Sequence, residues 1–276
     1  DERVTPRLDV LEATPTAACC WTLGQAELAI EQAERSIREV VDLPLLLERD
    51  LRGRKIFRRG DVNRPGIRGL TLDRGAVEVG LREGVLGLEL ASFPLVQTEV
   101  FRSAASVLWY NADPLPLREL YEQPGLLDAV GRALVDTPIA RRMRVGARWF
   151  AEAHYTSAPD DAALALGVCL DALLGGKRAL PGSAMGDRVA LLTAAPSKRR
   201  SARKAYMDFY GIRSSVAHGG RSTKLDADAL TEAFGLAHTI AWRLLDLEDV
   251  FQPVSDDAVD EVFDDLRLGI RTWPHI

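Results

Sequence analysis

Tyr210-Gly-Ile-Arg213-Ser-Ser-Val-Ala-His218-Gly-Gly220 closes a long run of helical periodicity that opens at Ser197. At 1.5 Å per residue the run from Ser197 to His218 predicts a helix about 33 Å long. Gly219-Gly220 is its stop, because glycine accepts the left-handed backbone that ends helices. Working outward, everything from Thr137 to Val250 reads as helix. Residues 138–156 place Val145, Trp149 and Ala153 at helical spacing, and residues 160–174 put Leu166, Leu170, Leu173 and Leu174 on one face before Gly175-Gly176. Ser183 is placed to cap residues 184–195, which end before Pro196. A last helix over 226–250 carries Ala229, Ala233, Leu236, Ile240, Leu244 and Leu247 on one stripe. Five such helices with short connections predict an up-down helical bundle over residues 137–250.

Upstream, residues 1–136 predict a mixed α+β region. Ile30, Ala33, Ile37, Val40 and Val41 form one stripe of a helix over 22–49, with a break or kink near Leu43 ahead of Pro44. Residues 50–66 are basic and rich in turn formers, as a loop is. The period then changes to two: Ile67 to Leu72, Ala76 to Leu81 and Val85 to Leu90 alternate, with Asp73-Arg-Gly75 and Arg82-Glu-Gly84 between them. These are the marks of a small antiparallel meander. Short helical segments are expected over 95–135, around Pro114, Pro116 and Pro124. The fold class expected for the whole chain is therefore mainly α, in three parts: 1–136, the bundle 137–250, and a tail 251–276.

With 47% apolar and 27% charged residues, the 276-residue chain has the composition of an ordinary globular protein. No apolar run reaches the eighteen or so residues of a membrane span, so no membrane partner is expected. The start, Asp1-Glu-Arg-Val4, has neither Met nor an apolar leader core, as in a trimmed chain or a piece of a longer protein. Three cysteines, Cys19, Cys20 and Cys169, are too few for a disulfide framework or a zinc site, which predicts a reducing, cytoplasmic setting and no metal or other cofactor. Cys169 falls in an apolar helix and should be buried. The net charge of −5 is uneven. Residues 137–250 hold 16 Lys and Arg against 12 Asp and Glu, while 1–136 hold 17 against 22 and 251–276 hold 2 against 6. The only positive segment is the one with Arg213 and His218, which is the sign a phosphate-binding surface needs.

Arginine offers a fork of donors that matches phosphate oxygens, and histidine carries protons near neutral pH. Together they suffice for cutting RNA without a metal. The stretch from Tyr210 to Gly219 resembles the Arg-x4-His signature of the HEPN superfamily, and its Arg-Ser pair and trailing Gly are most similar to the Apea-like branch found in prokaryotic defence systems. The resemblance covers residues 137–250. It implies a helical bundle with the signature at the end of a late helix, and an endoribonuclease in which His218 serves as general base or acid for attack by the ribose 2′-OH. Arg213 would stabilise charge on the phosphoryl oxygens, and Ser214 would orient the imidazole or hold a phosphate. It also implies a site completed across a homodimer. In that branch a Glu stands where this chain has Asp171, in Leu170-Asp-Ala-Leu-Leu174, which makes Asp171 the expected partner of Arg213.

Lys198, Arg199, Arg200, Arg203 and Lys204 form the densest basic cluster, at a helix N-terminus where cations oppose the macrodipole. They are candidate contacts to RNA phosphates, or else a solvated face. Tyr206 and Tyr210 are expected to pack in the core rather than stack on bases. His154 is expected to be solvated or capping and His238 to lie on the surface. The acidic helix-like stretch Asp256 to Asp265, with Val259, Phe263 and Leu266 on one side, reads as an interaction element or as a screen over a basic surface. A further protein could dock there or on residues 1–136. Two functional readings stay open: a ribonuclease, and a non-catalytic module that dimerises or binds RNA or a protein, with Arg213 ion-paired and His218 merely closing its helix.

Overall fold

The computed structural model describes residue 39, residues 42–48, the backbone of three strands between 71 and 91, and residues 123–176, 180–220 and 225–273. The chain divides into two compact units, residues 1–41 with 63–117, and residues 42–62 with 118–276. In the first, β1 (Thr71–Leu72), β2 (Gly75–Arg82) and β3 (Val85–Ala91) pair antiparallel in the order β1-β2-β3. The register sets Thr71 against Ala76, Val77 against Leu90 and Leu81 against Leu86. The mixed α+β character expected of residues 1–136 as a whole, the loop over 50–66 and the helical segments over 95–122 lie outside the described residues.

The second unit is a helical bundle. Its helices are α1 (Leu126–Leu134), α2 (Pro138–Tyr155), α3 (Pro159–Leu174), α4 (Gly182–Thr193), α5 (Arg199–Ala217), α6 (Ala227–Phe251) and α7 (Asp256–Leu268), with a 3-10 turn over Pro196–Lys198. Local chemistry explains most of the starts. Thr137 accepts a hydrogen bond from the Ala140 N–H at 3.1 Å, ahead of Pro138 at the first helical position. Pro159 opens α3, with Asp160 and Asp161 facing the positive end of the dipole. Asp226 caps α6 through the Ala229 N–H at 2.8 Å, and Ser255 caps α7 through Ala258. Helix α4 departs from expectation: it begins at Gly182, and Ser183 lies inside it rather than capping it.

The Thr137 hydroxyl also donates to Glu248 of α6, so one side chain both starts α2 and ties it to a second helix. Thr137→Ala should lower stability by about 1–2 kcal/mol, and Thr137→Ser should retain most of it. Thermal melts of the two variants check this, and an Ala variant that melts like the parent would show that the cap carries nothing.

Helix α2 lies along α3, α4 along α5, and α6 crosses α2, α3 and α4. The α2–α3 contact is close because its residues are small. A Cβ at Gly146 would come within 2.7 Å of Leu173. The expected stripe of α2 is only partly buried: Ala153 is enclosed, Trp149 half-buried and Val145 exposed, while Met143, Ala147 and Phe150 are buried beside it. Residues 42–47 are helical, and residues 40 and 41, on which a break near Leu43 would also fall, lie outside the described residues. The segment 42–47 packs on α6: the carbonyls of Leu46 and Leu47 meet His238 Nδ1 at 2.7 Å and the Trp242 indole N–H at 3.0 Å. His238 is therefore an interior contact rather than a surface residue, with its ring 4.8 Å from Phe150. His154 is likewise buried, edge-on to Tyr155 at 4.7 Å.

The boundary placed at residue 250 is not a boundary of packing. Helix α7 buries Val259, Val262, Phe263 and Leu266 against α2 and α4, and Trp273 stacks on Phe251 with centroids 5.9 Å apart. Its acids do cover basic residues, but buried ones. Asp256 pairs with Arg142 at 3.1 Å and Asp260 with Arg188 at 2.9 Å. The two arginines also donate to the carbonyls of Gly175 and Leu174, where α3 ends. Cations at exposed terminal carbonyls satisfy acceptors that no helix can satisfy for itself. Among the described residues no helix is long and apolar enough to cross a membrane.

Candidate functional site

Helix α5 is the outermost wall of the α3–α4–α5 corner. Of its nineteen residues only Tyr206, Phe209 and Ile212 are buried. It ends in a Schellman motif: Gly220 N–H donates to Ser215 O and Gly219 N–H to Val216 O, both at 2.9 Å, with Gly219 at φ +77°. This explains why glycine stands there. His218 is the cap residue itself, at φ −91° and ψ 16°, and its N–H donates to Ser214 O at 3.2 Å. Its imidazole is exposed and makes no hydrogen bond among the described residues. The helix is thus closed by backbone, and the ring is left available to solvent or to a ligand.

Arg213 lies one turn and a half earlier, on the side of α5 that faces α3. Its Nη2 donates to Asp171 Oδ2 at 2.6 Å, across forty-two residues of sequence, and its guanidinium carbon stands 5.9 Å from the centre of the Tyr210 ring. The expected partner is confirmed by geometry, and the shorter Asp side chain reaches. Burial pushes the Asp171 carboxyl above the ordinary aspartate value, while the neighbouring guanidinium opposes that shift. Both side chains keep a solvent-facing part, 24% for Arg213 and 40% for Asp171. The guanidinium makes that one hydrogen bond among the described residues, so most of its donor fork is uncommitted. Ser214 is half-buried, and its hydroxyl makes no hydrogen bond to His218.

A shallow crevice between α3 and α5 is lined by Gly167, Leu170, Asp171, Tyr206, Tyr210 and Arg213. On α3 the residues at 167, 170 and 171 share one face, as 206, 210 and 213 do on α5. Of the two tyrosines expected in the core, Tyr206 is buried and Tyr210 only half-buried. Burial raises the Tyr206 hydroxyl pKa, and it raises that of the Cys169 thiol, which is fully enclosed as expected. Neither group is poised for proton transfer. Sequence reasoning missed Gly167. Glycine within a helix is less stable than alanine by about 1 kcal/mol, so its place four residues before Asp171 was the available signal.

The basic cluster sits at the far end of α5. Lys204 is about 21 Å from His218 along the axis at 1.5 Å per residue. Two of its members are engaged within the fold: Arg203 with Asp187 at 2.6 Å and Lys204 with Asp208 at 2.5 Å. Lys198 and Arg200 are exposed without an ion pair among the described residues, and Arg199 is half-buried with its Nε enclosed and lacking an acceptor. The described residues contain no group of three or more His, Cys, Asp or Glu side chains placed to hold a metal.

No family model matches the chain, and comparison with curated proteins and with solved structures also returns no match.

Proposed function

We propose that the chain is a metal-independent endoribonuclease of the HEPN type, serving prokaryotic antiviral defence or acting as a toxin in the cytoplasm. One observation carries this reading: the end of a single outer helix presents an exposed imidazole together with a guanidinium oriented by a carboxylate from another helix. In the reaction, the ribose 2′-OH attacks the adjacent phosphorus while His218 accepts its proton. The bond to the 5′-oxygen breaks, leaving a 2′,3′-cyclic phosphate. Arg213 neutralises charge on the phosphoryl oxygens as they pass through the transition state. RNA rather than DNA follows from the need for the 2′-OH. The departing 5′-oxygen needs a second proton carrier opposite the first. His154 is buried, and His238, half-buried, is held at the Leu46 carbonyl, so neither supplies it. A homodimer that joins two α5 ends would bring a second His218, and Ser214, one turn earlier on α5, would bind phosphate. Lys198, Arg199 and Arg200, with Arg203 and Lys204 once their acidic partners are displaced, extend the RNA path along α5.

A non-catalytic module is the second reading. It is favoured by the same Arg213–Asp171 pair, which neutralises the cation before any phosphate arrives. Incubation of RNA in excess EDTA separates the two readings. Cleavage to 2′,3′-cyclic phosphate ends is expected there. Activity that is absent in EDTA and returns with Mg²⁺ or Mn²⁺ overturns the mechanism, and binding without cleavage in every condition leaves the module.

A further inference from the structure

The geometry points to Gly167 as the positioning residue for Arg213. The ribonuclease reading underlies the rate effect of this inference, while the seating itself is independent of it. A Cβ built on Gly167 would lie 2.4 Å from Arg213 Nε, 2.5 Å from Cδ and 2.6 Å from Cγ. These are the middle of the side chain, not its mobile tip. Arg213 therefore runs directly over the bare backbone of α3. It reaches Asp171 one turn further along the same helix at 2.6 Å, with its guanidinium carbon 5.9 Å from the centre of the Tyr210 ring. The empty position at 167 sets the path of the stem, and Asp171 holds its end. A methyl group at 167 cannot be avoided by rotating the guanidinium. The stem must swing away from α3, which pulls Nη2 out of hydrogen-bonding range of the carboxylate. Placement errors of about 1 Å at a charge-stabilising group lower rates by about 10²-fold.

The test uses the full chain, labelled with ¹⁵N, and the Arg213 Nε–Hε resonance, assigned by its loss in Arg213→Ala. Gly167→Ala should shift that resonance. It should also lower kcat for RNA about 10²-fold with KM nearly unchanged, the mark of an interaction made in the transition state. Gly211→Ala is the control: it lies on α5 two residues from Arg213, its Cβ meets nothing within 4 Å, and it should leave both readouts as in the parent. The double variant Gly167→Ala with Arg213→Ala should cleave as Arg213→Ala alone and melt at or slightly above it, since the obstacle is gone and alanine favours the helix by about 1 kcal/mol over glycine. This comparison also decides the matter if Gly167→Ala does not fold by itself. An unmoved Arg213 resonance in Gly167→Ala, or a double variant that melts well below Arg213→Ala, overturns the inference. Should the parent not cleave RNA, the ribonuclease reading fails, and the resonance and melting arms still decide the role of Gly167.

Discussion

His218→Ala is expected to reduce RNA cleavage by about 10²–10⁴-fold, the usual worth of a positioned proton carrier, while the protein melts within a few degrees of the parent. The two halves of this expectation have separate causes. The end of α5 is made by backbone hydrogen bonds from His218, Gly219 and Gly220 and by the left-handed Gly219, none of which uses the imidazole. Even a protonated ring at a helix C-terminus contributes only about 0.3–1 kcal/mol. In a composite site the loss removes a proton carrier from both sides of the displacement at once. Single-turnover cleavage and thermal melting of the same preparation check both halves. A variant that cleaves like the parent makes the non-catalytic module the better account, and one that unfolds shows His218 to be structural.

The five bundle helices were legible because their ends carry chemistry. Thr137-Pro138, Leu174-Gly175, Asp226 and Gly219 mark limits that fall within two residues of those observed. What each helix packs against was less legible, because periodicity shows a stripe and not its partner. In α2 the large residues Val145 and Trp149 drew the stripe to one side, while the buried face, with Gly146 against Leu173 of α3, is centred beside it. His154 and His238 were misplaced because histidine passes for a surface residue until a carbonyl or an aromatic ring is known to face it. At the site, Arg213 and Asp171 could be paired from sequence because opposite charges beside apolar stripes need each other. Gly167 offered only the cost of a glycine within a helix as a signal, because its contribution is the absence of atoms. The acidic helix α7 was read as an interaction element or a screen over a basic surface, and its acids do meet arginines. Recognising its docking required knowing that Arg142 and Arg188 are buried, and charged residues are rarely buried unless paired.

That docking gives the largest stability effect expected in the molecule. Arg188 is only 9% exposed, its guanidinium lies 4.5 Å from the centre of the Phe263 ring, and Asp260 stands 2.9 Å from its Nη2. Burial draws the arginine below its usual pKa, and Asp260 is the main influence holding the charge in place. Asp260→Ala leaves the guanidinium with the Leu174 carbonyl, an aromatic face and the more distant charge of Asp264. Breaking a buried pair from one side destabilises by 3–5 kcal/mol. The lower end, about 3 kcal/mol, applies here because Asp260 itself is 26% exposed and water can replace part of what is lost. Asp256→Ala should cost about 1 kcal/mol or less, since Asp256 is 44% exposed beside Arg142. Replacing both partners, Arg188→Met with Asp260→Leu, should recover most of the loss, because no charge is then stranded. Urea denaturation of the four proteins tests the ordering. If Asp260→Ala and Asp256→Ala unfold at the same midpoint, the buried pair does not hold α7 to the bundle.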